Sequence, residues 1–314
     1  MLYILLGFFA GFGLALTIAI VYFLVIPVRL PNEVKVEIPY GSSVTKAGEI
    51  LKDAKIIKNE EVYVLLSHIL YKKKGITAGK YVFSGNTYVL MVVYRTSNAR
   101  FGGPFIKITI PEGFTNQEII NRIASNFPNL TKSEIKSKLP KLDGYIFPET
   151  YFFDTEASLD EIINKMTTVG NQKLTDILKL IDIKSAEAKR ILIIASLVEA
   201  EGKNKEERKM IAGIIENRLT ANMPLQLDAT ITYLTNHGSS QITQSDLKID
   251  SPYNTYLYKG LPPGPINNPG AESIEAAMNP TKSDYLYYLH APNEQIYYAK
   301  TYQEHLNNKN KYLR

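Results

Sequence analysis

Two carboxylates close the most apolar internal stretch of the chain. The run Ile191-Leu192-Ile193-Ile194-Ala195-Ser196-Leu197-Val198 is followed by Glu199-Ala200-Glu201 and a Gly202 stop. At 3.6 residues per turn, Glu199 and Glu201 stand about 200° apart, so one can project into a pocket while the other meets solvent. A helix that is apolar on every side is buried. A carboxylate delivered by such a helix is partly desolvated, which raises its pKa toward what a general acid needs. The competing reading of Glu199 is a helix-end cap or ion-pair partner. Downstream, Asn217, Arg218, Gln226, Asp228, Thr230, Tyr233, Tyr253, Asn254 and Tyr256 supply amides, carboxylates and flat aromatic faces. That mixture suits a sugar, whose rings present both hydroxyls and C–H surfaces.

Other chemistries lack their residues. The four histidines, His68, His237, His290 and His305, have no metal-ligand spacing. There is no Gly-rich phosphate loop, no serine in a nucleophile-elbow context and no cysteine. No metal or cofactor is expected. The net charge of +5 is mild, with Lys and Glu intermixed. Lys72-Lys73-Lys74 reads as a solvated loop, and nucleic acid is not an expected partner.

The elements that must position these groups begin with Leu2 to Val28, which contains no charged residue. About 20 apolar residues cross a bilayer, so this run predicts one transmembrane helix. It lacks the basic n-region of a cleaved signal and is too long for one. Arg29 and Lys35 follow it, but two charges do not fix the side on which a long domain lies. Val34, Val36 and Ile38 alternate as a strand, Pro39-Tyr40-Gly41 turns, and Ser43 caps a helix. The plan recurs with Ile106, Ile108 and Ile110, then Pro111-Glu112-Gly113, then Thr115. Ala78 to Phe83 reads as a strand, and Phe101-Gly102-Gly103-Pro104 as a boundary. Helices are predicted near Leu159–Leu180, Ser185–Glu201 and Lys205–Thr220, the last with Ile211, Ile214, Ile215 and Leu219 on one stripe. After Thr220 the pattern is loop-like, and Ser251 to Asn279 is crowded with Pro, Gly, Asn and Tyr, as functional loops are. Strands at Tyr285–His290 and Gln295–Ala299 and a helix from Thr301 close the chain. The fold class is α+β: an anchor at 1–30, a small α/β module at 31–103 and a larger mixed α+β domain at 104–314.

The chain resembles the YceG-like (MltG) endolytic murein transglycosylases over nearly its whole length. The matching stretches are Asp143-Gly144…Phe147-Pro148-Glu149-Thr150-Tyr151, Ala195-Ser196-Leu197-Val198-Glu199-Ala200-Glu201, Asn217-Arg218-Leu219 and Leu225-Gln226-Leu227-Asp228-Ala229-Thr230. They continue through Ser251-Pro252-Tyr253-Asn254-Thr255-Tyr256, Gly260-Leu261-Pro262-Pro263-Gly264-Pro265-Ile266, Asn268-Pro269-Gly270 and Tyr302-Gln303-Glu304-His305. Ala229 stands where proline is usual, and Asn279-Pro280 replaces a commoner His-Pro.

The resemblance implies a single-pass inner-membrane protein with a LysM-like module next to the bilayer and a catalytic domain on the extracytoplasmic side. It implies cleavage of nascent peptidoglycan strands, with peptidoglycan synthases as candidate partners. Glu199 falls on the catalytic glutamate. It would protonate the oxygen between N-acetylmuramic acid and N-acetylglucosamine while the muramic acid's 6-hydroxyl attacks C1, leaving a 1,6-anhydro end. One carboxylate then serves as acid and base, where ordinary glycosidases need two, and the sequence shows no obvious paired acid. Gln226, Asp228, Tyr253, Asn254, Arg218 and Glu149 are the expected substrate-binding residues. The alternative is a non-catalytic membrane-anchored scaffold that binds murein or serves division.

Overall fold

The computed structural model of the protein describes residues 26–313 apart from 73, 104 and 142. Residues 2–25 of the predicted membrane span lie outside the described residues. Its predicted last residue, Val28, instead opens a strand. Among the described residues no helix is long and apolar enough to cross a membrane.

The chain divides into two compact units. One runs through Lys107 and takes in Phe152–Ala157; the other comprises Ile108–Tyr151 and Ser158–Arg314.

In the first unit, β1 (Val28–Ile38) pairs antiparallel with β2 (Gly79–Thr87), from Val28↔Thr87 to Ile38↔Gly79. The strand starts earlier than the alternation predicts, because it continues across Pro31-Asn32, which reads as a linker. The register shifts between Leu30 and Val34, and that irregularity accommodates Pro31, which has no N–H for the ladder. Three helices accompany the ribbon: α1 (Val44–Asp53), α2 (Glu60–Tyr71) and α3 (Val89–Ser97). Their core gathers Ile38, Leu51, Tyr63, Tyr81, Phe83 and Phe101. The Tyr63 hydroxyl meets Thr96 Oγ1 at 2.9 Å, so the buried phenol is satisfied.

The strand–turn–helix design recurs. β3 (Phe105–Thr109) pairs with β4 (Thr150–Asp154), each strand divided between the two units, and α4 (Asn116–Asn126) of the second unit follows the turn. The two turns agree in detail. Gly41 and Gly113 both have φ +78°, a left-handed conformation that glycine adopts without strain. Ser43 and Thr115 both cap the helix that follows, accepting from Lys46 N and Glu118 N. After the short α5 (Lys132–Lys138) come α6 (Leu159–Leu178), α7 (Ala186–Glu201) and α8 (Lys205–Thr220). Ile191 to Val198 are buried on every side of α7, as the composition demands. Two helices lie where the sequence reads as loop, α9 (Asp228–Thr235) and α10 (Ala271–Met278). α9 is rich in β-branched residues, which weakens its helical signal. α10 hides behind the Pro- and Gly-rich run that precedes it, yet buries Ser273, Ile274, Ala276 and Ala277 against α7 and α8. The hairpin β5 (Tyr287–His290) and β6 (Ile296–Ala299), then α11 (Tyr302–Tyr312), close the unit.

Candidate active site

The C-terminal end of α7 sends its two carboxylates into two different polar clusters. Glu199 is only 6% exposed. Its Oε2 accepts from Gly270 N at 2.9 Å and from Ser273 Oγ at 2.8 Å. Gly270 is the N-cap of α10 and has no side chain to cap with. The carboxylate of Glu199 does that work from another helix, at the end where the macrodipole favours negative charge. Its Oε1 accepts from Arg208 Nη2 at 3.1 Å. Arg208, on α8 and 11% exposed, also reaches Glu272 Oε2 through Nη1 at 2.8 Å. Arg208 therefore bridges α7 to α10, and its buried Nε has no partner.

A third carboxyl completes this cluster. Glu112, in the turn after β3, packs against Gly270 so closely that a methyl group on that glycine would overlap its Oε1. The next residue, Gly113, brings its Cα against Glu199, with an added Cβ falling 3.6 Å from Glu199 Cγ. Glu112 as a whole is exposed, but its carboxyl end has lost hydration against these groups. That loss first, and the Glu199 charge second, push it above the usual carboxylate range, while Arg208 pulls the other way.

Glu201 turns to the opposite side of α7. Its Oε2 accepts from the Tyr288 hydroxyl at 2.8 Å. Burial pushes its carboxyl up; the Tyr288 bond lowers it and the Asp228 charge raises it further. Asp228 accepts from the Tyr256 hydroxyl. The expectation that one of the two glutamates meets solvent is therefore corrected. Neither is exposed and both are half-buried, because α8 and α10 cover one side of α7 and the segments carrying Asp228 and Tyr288 approach the other.

The loop that carries Gly270 is bolted in place by short polar side chains. Ser196 Oγ, on α7, accepts from Ile266 N at 3.0 Å, and Ser196 O accepts from Asn267 Nδ2 at 2.8 Å. Asn268 is fully buried. Its Oδ1 accepts from Gly144 N and Ile146 N, both at 2.9 Å, and its Nδ2 donates to Phe114 O at 2.8 Å. Gly113 N donates to Asn268 O. One asparagine thus fixes the Glu112 turn, the Asp143-Gly144 segment and the Gly270 loop against one another.

The expected substrate residues separate into three groups. Gln226 and Asp228 are exposed and are fastened to the Tyr253–Tyr256 loop by Gln226 N to Thr255 O and Leu227 N to Thr255 Oγ1, both 3.0 Å. Gln226 holds φ +46°, a strained backbone for a residue with a side chain, of the kind found at ligand sites. Tyr253 packs on Tyr233, ring centroids 5.1 Å apart. The Tyr233 hydroxyl donates to Asp143 at 2.9 Å, beside a groove of about 420 Å³ lined also by Asn116, Ile120 and Lys136. Asn254 and Arg218 are committed to the fold. Asn254 is fully buried, donating to Leu247 O and Ile249 O and accepting from Tyr256 N. Arg218 donates to Leu286 O and Leu225 O and lies 5.2 Å from the Tyr287 ring. Glu149 has its own setting, accepting from Thr150 N and lying 3.8 Å from Lys173. Arg208, Glu272, Ser273 and Glu112 are absent from the sequence-based candidates.

These polar networks rest on the same segments that carry the sequence motifs. The YceG-like family model matches residues 36–311. The chain belongs to the YceG-like family. It is 33% identical over 308 residues to a Bacillus subtilis (strain 168) protein named endolytic murein transglycosylase, covering 89% of this chain and 85% of that one. It is 30% identical over 315 residues to a Streptococcus pneumoniae (D39) protein of the same name, where the match takes in 87% of this chain but 57% of the longer relative. A 2.6 Å crystal structure of a yceG-like protein from Listeria monocytogenes aligns at TM-score 0.59 and 33% identity, over 88% of this chain and 98% of that one.

Proposed function

We propose that this YceG-like protein is an endolytic lytic transglycosylase of peptidoglycan, with Glu199 as its acid and base. The observation that carries the reading is the setting of Glu199: a desolvated carboxylate at the end of a buried helix, aimed by three donors from two other helices. A proton on Glu199 passes to the glycosidic oxygen as the C1–O bond breaks. Gly270 N, Ser273 Oγ and Arg208 then stabilise the carboxylate left behind, fixed dipoles and charge that need no reorganisation. The muramic acid's own 6-hydroxyl forms the new bond to C1, and its proton returns to Glu199. No water enters the product.

Gln226, Asp228 and Tyr253 are assigned to glycan binding on their exposure and aromatic stacking, with Asn254 and Arg218 holding the segments that bear them. The uncharged run Leu2 to Val28 supports a single-pass anchor at 1–30. The resemblance to the YceG-like family supports the further reading that a LysM-like module at 31–103 and a catalytic domain at 104–314 lie on the extracytoplasmic side of the plasma membrane, within reach of strands leaving their synthases.

The test is digestion of murein sacculi by the full chain, with products resolved by mass spectrometry. The expected result is ends carrying 1,6-anhydro-N-acetylmuramic acid, and loss of at least 10³-fold in rate for Glu199→Gln. Full activity in Glu199→Gln overturns the assignment. Murein capture with no product in the unsubstituted protein points to a binding scaffold instead.

A further inference from the structure

We propose that Glu112 is the second carboxyl of the reaction, a positioning residue that shares one proton with Glu199 and keeps that proton available to it. This rests on the reading of Glu199 as the acid.

The argument begins with the donors around Glu199. Gly270 N, Ser273 Oγ and Arg208 all donate to it and occupy both of its oxygens. Such a cradle stabilises the anion, whereas the first step of the reaction needs a proton there. Something nearby must favour retention of that proton. Glu112 is placed to do so. Its carboxyl fills the space that Gly270 leaves open, on the same glycine whose N–H binds Glu199, and a Cβ added to its neighbour Gly113 would lie 3.6 Å from Glu199 Cγ. A second carboxylate set against the same glycine raises the cost of ionising both. The groups facing Glu112 from the packed elements are Glu199 on α7, Arg208 on α8 and Glu272 on α10. Three carboxylates face one guanidinium there, an excess of negative charge. The influence of Glu199 on the Glu112 carboxyl is upward, the direction the pair requires.

The proton count closes over a turnover. Glu199 gives its proton to the glycosidic oxygen as the C1–O bond breaks. The C1–O6 bond forms, and the hydroxyl proton returns to Glu199. Throughout, the Glu112 carboxyl supplies the charge that draws that proton back, so the pair ends with the single proton it began with. Glu112 stands at the rim of the cluster, exposed, where it also exchanges protons with solvent and resets the pair.

The experiment compares the full chain in detergent micelles with Glu112→Gln, Glu112→Asp and Glu199→Gln, measuring release of anhydro-ended fragments from murein sacculi across pH. The expected result for Glu112→Gln is a fall in kcat of about tenfold or more with KM little changed. Its basic limb moves to lower pH, since a neutral amide no longer favours retention of the proton on Glu199. Glu112→Asp keeps the charge and recovers much of kcat, so a merely structural role is separated from a charge role. Wild-type kcat and an unmoved basic limb in Glu112→Gln overturn the proposal, as does equal loss in Glu112→Asp and Glu112→Gln with both folded by circular dichroism. If Glu199→Gln is itself active, the reading beneath the proposal has failed; if only Glu112→Gln is silent, the proposal alone has.

Discussion

Arg208 is the residue on which the geometry of the candidate site most depends. Its guanidinium spans Glu199 and Glu272, and no other basic side chain is bound to Glu199 among the described contacts. Arg208→Ala should lower kcat by about 10²-fold, since an acid displaced by even an ångström loses alignment. Arg208→Lys should recover only part of this, because a lysine ammonium cannot reproduce a planar fork between two carboxylates. Steady-state kinetics on a soluble glycan checks both. Nothing in the sequence marks Arg208: it is one charge among many on an amphipathic helix. The apolar run ending in Glu199 drew attention to that carboxylate but left a cap or ion-pair partner open, and the family resemblance singled it out; Asp228 and Tyr253 were candidates because polar and aromatic residues crowd their segments. Asn254 and Arg218 show the limit of that reading. A polar residue type fits a fastener as well as a ligand, and only its burial and partners decide.

Glu201 carries a separate prediction at the same scale. Burial raises its folded carboxyl above the unfolded value, so the folded state binds more protons. Stability contributed by the neutral form is present below the unfolded pKa and falls as pH rises from there through the folded value. Glu201→Gln keeps an acceptor for Tyr288 and removes the titration. The Tm of Glu201→Gln minus that of the unsubstituted protein should therefore be more positive at pH 8 than at pH 4. A difference that does not change with pH would contradict it.

Among the elements, α7 and the Gly270 loop act as one body because of Ser196 and Asn267, and Asn268 ties that loop to the Glu112 turn and the Gly144 segment. Asn268→Ala strands the N–H groups of Gly144 and Ile146 in the interior, while the carbonyl of Phe114 keeps the backbone N–H of residue 268. Each such group costs about 1–3 kcal/mol, so chemical denaturation should register a loss of several kcal/mol. Gly270→Ala should do the reverse, with small cost to stability at its ordinary φ of −76° and large cost to activity, because the new methyl displaces Glu112. The long helices, the two strand–turn–helix units and their caps were readable from periodicity and from Ser and Thr at helix starts. α9 and α10 were not. α9 is built of β-branched residues, and α10 has only eight residues after a Pro-Gly break, so each owes its helix to packing that a local pattern does not record.

At the scale of the whole molecule, the proposed anchor has a direct readout. The chain has no cysteine, and Leu180 is fully exposed in the loop after α6. In the Leu180→Cys protein, a membrane-impermeant maleimide should label spheroplasts without lysis if the catalytic domain faces outward. Labelling only after lysis would place that domain inside.

The chemistry itself is tested most directly by digesting murein sacculi in water enriched in ¹⁸O. If Glu199 drives attack by the substrate's own hydroxyl, every new muramic end carries the anhydro mass and no ¹⁸O. Reducing ends that each hold one ¹⁸O would mean that water is the nucleophile, and would contradict the account.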